Sequence, residues 1–290
     1  MVLKVILFGS TGSVGYQIKM QLISKSKSKY DVITIGRDDS DVEIQCNMKS
    51  YDEIKRCMKE CVLDNEEIIV ISCLGGRNAS DCEEVDGDMN CNIINASKCF
   101  SNIKRFILLS GACVDNPKIP LQYAKIRAEN ALMNSGINYT IFRPTCYYKC
   151  FHSMWEKVNK NKKVYVIGNG EYTRFGPMDE RDVASAMIEY GMRETKNDVI
   201  YLDGEKQYTA KSIANELSSN DSDSDNVKHV PYWFVRGVEW IGGYILPTKI
   251  YETIRLIVYY NLYQMNIDNV DRCIKLDNKN ALSYFEKEKT

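Results

Sequence analysis

Val2-Leu3-Lys4-Val5-Ile6-Leu7-Phe8-Gly9-Ser10-Thr11-Gly12-Ser13-Val14-Gly15 is the stretch that decides the fold. Its first seven residues form a nearly unbroken apolar run, short enough for a strand buried on both faces of a parallel sheet. A glycine turn follows at once. From Ser13 to about Ser24 the apolar positions Val14, Ile18 and Leu22 recur at helical spacing, and Asp31 to Ile35 then reads as a second strand. The order strand, turn, helix, strand is the start of a βαβ unit.

The alternation continues outward from there. Strands are expected near Val42 to Gln45, Glu67 to Ser72, Arg105 to Ser110, Asn138 to Phe142 and Val164 to Ile167. Helices are expected over Tyr51 to Cys61, Met89 to Phe100 and Leu121 to Asn134. Such a pattern predicts an α/β fold with a Rossmann-type doubly wound parallel sheet, covered by helices on both faces. The polar run Ser218 to Asn226 has nothing to bury and reads as a loop or hinge. Beyond it, Pro231 to Met265 is rich in Trp, Tyr, Ile and Leu and reads as helical, with Pro247 dividing it in two. We therefore expect a nucleotide-binding domain over 1–204 and a small, mainly helical C-terminal substrate or lid region over 205–290.

Composition narrows the function classes. The chain has 290 residues, 44% hydrophobic and 27% charged, which suits one large core with a small appended lobe rather than disorder. The net charge is -1 with no basic stripe, so nucleic acid is not an expected partner. Eleven cysteines, an odd number with no targeting segment before the first strand, point to reduced thiols in a cytoplasmic setting. There is no CxxC pair and only His152 and His229, so no metal site is expected. No transmembrane span is expected either, because Arg236, Glu239, Lys249, Glu252 and Arg255 interrupt the apolar C-terminal region. Trp233, Phe234, Trp240, Tyr244, Ile245 and Leu246 leave open a peripheral contact with a membrane or hydrophobic partner; packing onto the rest of the protein is the plainer reading.

The glycine spacing GxxGxxG between a strand and a helix points to dinucleotide binding. Gly9 suits the tight turn, Gly12 lets a pyrophosphate approach the main chain, and Gly15 permits close helix packing, while the helix start over Ser10, Thr11, Ser13 and Val14 offers N–H groups and a partial positive charge. About twenty residues on, a site preferring NAD would place an acidic residue on the ribose diol; here the second strand ends in Gly36-Arg37. Arginine suits a 2′-phosphate, so NADPH is the expected cofactor, although Asp38 and Asp39 follow directly. Asn47 is expected to reach the adenine, and Cys73, Leu74 and Gly75 to pass beside the ribose.

These features resemble the short-chain dehydrogenase/reductase superfamily, whose usual active site is a Ser after the fifth strand and Tyr-x-x-x-Lys on the next helix. Ser110 and Lys125 match, but the tyrosine position is Leu121. Tyr123 is two residues from Lys125, on another side of a helix, and is a poor stand-in for the missing phenol. The segments Arg105 to Val114, Gln122-Tyr123-Ala124-Lys125 and Tyr139 to Thr145 are similar to those of the NADPH-dependent divinyl chlorophyllide a 8-vinyl reductases, an atypical branch that also lacks the tyrosine. Gly168-Asn169-Gly170 and Pro177 to Ala184 extend the likeness.

That resemblance implies that Lys125 holds the nicotinamide ribose hydroxyls, with Tyr123 the remaining candidate catalytic phenol. It also implies that Pro144 and Thr145 lie against the nicotinamide, and that Tyr147, Tyr148, Phe151 and Trp155 line a pocket for a flat, conjugated, hydrophobic small molecule. Core packing is the other reading of those aromatics. The expected activity is hydride transfer from NADPH to a conjugated C=C bond, with the 8-vinyl group of a divinyl tetrapyrrole as one substrate. The alternative is a non-catalytic sensor resembling NmrA-like regulators. The stretch after Cys73 and the glycine at 111 depart from the reductase pattern.

Overall fold

The computed structural model describes residues 2–25, 29–37, 41–62, 66–76, 78, 81–112, 114–160, 162–193, 197–218, 227–262, 270–278 and 281–287. In chain order the elements are β1 (Leu3–Phe8), α1 (Ser13–Lys25), β2 (Tyr30–Gly36), β3 (Ile44–Gln45), α2 (Tyr51–Cys61), β4 (Ile68–Ser72), a π-helical segment (Glu83–Met89), α3 (Asn90–Ser97), β5 (Ile103–Leu109), α4 (Pro120–Met133) and β6 (Tyr139–Pro144). They continue with β7 (Cys146–Tyr147), α5 (His152–Asn159), β8 (Val164–Ile167), β9 (Pro177–Met178), α6 (Glu180–Gly191), β10 (Asp198–Gly204), α7 (Ala210–Ser218), β11 (Val227–Val230), α8 (Tyr232–Ile245), α9 (Thr248–Leu262), β12 (Cys273–Leu276) and α10 (Ala281–Lys287). An eight-stranded sheet has the order β12-β10-β6-β5-β4-β1-β2-β3. The pairs from β3 through β6 are parallel, as the apolar runs predict.

The chain divides into two compact units: Met1–Pro144 with Glu180–Tyr201, and Thr145–Asp179 with Leu202–Thr290. The chain leaves the first unit after β6, returns for α6, and leaves again within β10, so the second unit takes a central stretch as well as the C-terminal one.

In the first unit the sheet core is built from Ile6, Phe8, Ile35, Val70, Phe106, Leu108 and Ile141, all buried. Each such side chain contributes about 1.5–3 kcal/mol by leaving water. Helix α2 turns Ile54, Cys57, Met58 and Cys61 inward and starts at Ser50, whose hydroxyl accepts the Glu53 N–H at 3.3 Å. Helix α4 starts at Pro120, where a missing N–H costs nothing, and the Gln122 side chain accepts the Lys118 N–H at 2.7 Å. A buried ion pair ties α4 to β6: Arg143 donates to Glu129 from Nε at 3.1 Å and from Nη2 at 2.5 Å, and from Nη1 to Tyr201 at 2.7 Å.

The second unit is rich in helices and has a core of Tyr148, Trp155, Phe175, Tyr208, Ile213, Leu217, Tyr284 and Phe285. Val164–Ile167, expected in the main sheet, instead pairs with Val227–Val230 in a two-stranded sheet of its own. Pro247 divides the C-terminal helical region into α8 and α9 as its missing N–H requires. Helix α7 ends at Ser218; the remainder of the polar run, 219–226, lies outside the described residues. Among the described residues no helix is long and apolar enough to cross a membrane.

Candidate dinucleotide-binding site

Strand order reverses at β1, with β2 on one side and β4 on the other, which places the crevice of the doubly wound sheet at the turn after Phe8. Gly9 has φ 80°, a left-handed conformation that favours glycine. A Cβ there would lie 2.7 Å from the Cys73 carbonyl carbon, because Cys73 N–H donates to the Phe8 carbonyl at 3.0 Å and draws the loop after β4 against the turn. A Cβ at Gly15 would lie 2.1 Å from the Gly9 carbonyl oxygen, so α1 packs directly on the turn. At Gly12 the same atom would meet only the Gly9 carbonyl oxygen, at 3.3 Å. Thr11, Gly12 and Ser13 are exposed, whereas Ser10, Val14 and Gly15 are buried.

The residues present fit a dinucleotide. The first N–H groups of α1 have no partner within the helix and, together with the helix dipole, form an anion site at the turn. The hydroxyls of Ser10 and Ser110, at the C-terminal ends of β1 and β5, are buried without a hydrogen-bond partner, a costly arrangement that a polar ligand in the crevice would relieve.

Arg37 is exposed immediately after β2; Asp38 and Asp39 lie outside the described residues. Asn47 is exposed after β3, and its side chain accepts the Lys49 N–H at 3.1 Å. Cys73 is buried, which pushes its thiol up to about 12 and keeps it un-ionised. Leu74 packs on the core, and Gly75 is exposed.

On α4, Leu121 is half-buried and Tyr123 is 56% exposed. Lys125 is mostly buried, with its Nζ 2.7 Å from Oδ1 of Asp86, in the π-helical segment. The glycine at 111 lies beside that side chain: a Cβ there would sit 3.4 Å from the Lys125 Cδ, an ordinary van der Waals contact. Asp86 is a residue the sequence reading missed. Nothing in the sequence sets it apart from Glu83, Glu84 and Asp88 beside it, and its partner Lys125 is distant in the chain.

The remaining expected residues fall in two places. Pro144 ends β6 in the first unit, where its carbonyl accepts the Ala112 N–H at 3.0 Å. Thr145 belongs to the second unit, with its hydroxyl donating to Asp203 at 2.6 Å. Tyr148 and Trp155 are buried in the second unit, stacked on Tyr284 at 5.0 Å and on Phe285 at 5.2 Å. For these two the structure shows core packing, and burial pushes the Tyr148 phenol up. Tyr147 and Phe151 stay partly exposed, Phe151 stacking on Phe175 at 5.1 Å. Among the described residues the cysteines are free thiols and no cluster could hold a metal ion.

Comparison with known proteins bears on the family and the fold. The chain is 27% identical over 226 residues to the chloroplastic divinyl chlorophyllide a 8-vinyl-reductase of Arabidopsis thaliana, covering 70% of this chain and 53% of that protein. It is 25% identical over 246 residues to the photosystem II assembly factor Ycf39 of Trieres chinensis, covering 83% and 76%. The chain spans about half the length of the Arabidopsis and Cucumis sativus reductases it matches. In fold it is similar to the NADPH-dependent quinone oxidoreductase QOR2 of Escherichia coli, solved with NADPH, at a TM-score of 0.71 and 15% identity over 99% of this chain and 100% of that one. The family model described as NAD(P)H-binding matches residues 9–190, which hold the glycine turn, Arg37 and Lys125, and the chain belongs to this NAD(P)H-binding family.

Proposed function

We propose that the protein is an NADPH-dependent reductase that acts on a conjugated C=C bond of a flat hydrophobic substrate, with a vinyl tetrapyrrole as the first compound to try. The observation that carries the reading is the glycine turn at the crevice combined with a lysine, but no tyrosine, in the superfamily positions on α4. When bound, NADPH supplies a hydride to an electron-poor carbon. The N–H groups at the start of α1 hold the diphosphate, and Arg37, at the end of β2, receives the 2′-phosphate. Lys125 and Ser110, on the β5 side, hold and orient the nicotinamide half.

Leu121 offers no proton where carbonyl reduction needs one, which disfavours alcohol–ketone chemistry and sugar epimerisation. A conjugated C=C bond is more tolerant, because charge spreads through the substrate before a weak acid or water protonates it. Tyr123 is the phenol nearest in sequence to Lys125, but it faces solvent. The likeness to 8-vinyl reductases supports this class.

A second reading is a dinucleotide sensor. It is favoured by the face of α8, where Trp233, Trp240 and Tyr244 are all strongly exposed. On this reading that face meets a partner or membrane surface. The test mixes protein, NADPH and divinyl chlorophyllide, then a panel of enones. Loss of NADPH absorbance with formation of a reduced product supports the reductase; cofactor binding without turnover on any panel member supports the sensor.

A further inference from the structure

The carboxylate of Asp86 is 2% exposed and lies in the middle of the π-helical segment, a type of turn that recurs at functional sites. Its two oxygens are used separately. Oδ1 meets the Lys125 ammonium at 2.7 Å, and Oδ2 accepts the Gly76 N–H at 2.8 Å. The irregular backbone around it is held by Asn90, whose Nδ2 donates to the Val85 and Asp86 carbonyls at 3.1 and 3.0 Å. Asn90 in turn accepts the Ser72 hydroxyl at 2.6 Å. Arg127 fastens α4 to the same segment through the Glu83 carbonyl at 3.0 Å and Asp88 at 2.8 Å. One buried carboxylate thus links the loop after β4 to the lysine on α4.

We propose that Asp86 is a positioning residue that holds Lys125 on the nicotinamide side of the crevice and, through Gly76, fixes the glycine loop beside it. This deepens the reductase reading and rests on its assignment of the crevice to NADPH. The place of the lysine follows from topology: β4 and β5 lie on the opposite side of β1 from β2, so Arg37 and Lys125 serve opposite halves of a dinucleotide laid across the switch point. A free lysine side chain would lose much rotamer freedom on binding, and prior fixation by Asp86 lowers that cost. The pairing also selects the ligand class. An ammonium has three donors; with one given to Asp86 and its charge balanced, the two left match a neutral vicinal diol such as a ribose rather than a phosphate.

The test compares NADPH with adenosine 2′,5′-bisphosphate, which keeps the adenine half and lacks the nicotinamide riboside. Asp86→Asn is expected to weaken NADPH about tenfold or more while leaving the bisphosphate within about twofold. In the double variant with Lys125→Met, the loss is expected to be no larger than for Lys125→Met alone. Equal weakening of both ligands, unchanged NADPH affinity, or additive losses would overturn the proposal. A cofactor-bound structure of the unmodified protein tests it without any variant: Lys125 should touch the ribose while still paired with Asp86, and a lysine swung away from Asp86 would reject the proposal. Unmodified protein that binds neither ligand would instead overturn the dinucleotide reading, and this proposal with it.

Discussion

A single methyl group distinguishes the glycines of the turn after β1. At Gly12 the added atom meets only one carbonyl oxygen, at 3.3 Å, a tight contact that asks the turn to give by a few tenths of an ångström, and the backbone is not left-handed, so Gly12→Ala should cost less stability than Gly15→Ala while blocking the approach of a diphosphate. At Gly15 it would press on the Gly9 carbonyl at 2.1 Å, so Gly15→Ala should cost about 1–3 kcal/mol of stability as well as binding. Thermal unfolding beside cofactor titration separates the two effects; equal stability losses would show that the turn is packed differently. Arg37→Ala should weaken NADPH by about 1.5–3 kcal/mol and NADH hardly at all, the difference being a charged hydrogen bond to the 2′-phosphate. Equal losses for the two cofactors would remove Arg37 from that role. The glycine turn between β1 and α1 and the place of Lys125 on α4 were legible because their spacing is local. The pairing of Asp86 with Lys125 was not, since it joins residues far apart in the chain that only folding brings together.

Elements were legible where their signals are local too. The edges of α2 follow from its inward stripe and the Ser50 cap, and the break between α8 and α9 follows from Pro247. Strand β10 was overlooked between helical stretches although Val199 to Leu202 has the apolar run of a buried strand, and β8 was assigned to a sheet it does not join. Alternation predicts strands, not their partners, since partner choice is a long-range property. The Arg143–Glu129 pair between β6 and α4 yields a prediction at this scale. Glu129 is wholly buried, so Glu129→Ala leaves a guanidinium in the core with less than its due of acceptors and should cost about 3–5 kcal/mol. Replacing both residues by Met should cost less than that single change. Chemical denaturation measures both, and a double variant worse than the single would contradict the account.

For the whole molecule, the crossing of the chain between two units went unread because no composition change marks Thr145 or Asp179. The second unit has its own stability determinant in Glu216, which accepts hydrogen bonds from Tyr208 at 2.9 Å, Lys206 at 2.5 Å and the Ala281 N–H at 2.7 Å. Burial works against its charge, but these donors hold the carboxyl below its ordinary value of 4.5. A depressed carboxylate stabilises the fold above its unfolded value, and that contribution disappears as pH falls through the folded one. Glu216→Gln should therefore be less stable than the parent near neutral pH and show a shallower loss of stability as acid is added below about pH 4.5. Parallel acid profiles for the two proteins would contradict the assignment.

The cofactor reading rests on the start of α1 gripping the diphosphate of a nicotinamide dinucleotide. Calorimetric titration with NADPH, with the melting temperature followed in parallel, tests it most directly when the parent and Gly12→Ala are run side by side. Heat of binding and stabilisation of about 2.7 kcal/mol at a hundredfold excess over Kd are expected for the parent, and neither for the variant at temperatures where it is folded without ligand. A parent protein that gives neither heat nor a change in melting when NADPH is added, or a variant that binds it as well as the parent, would overturn this reading.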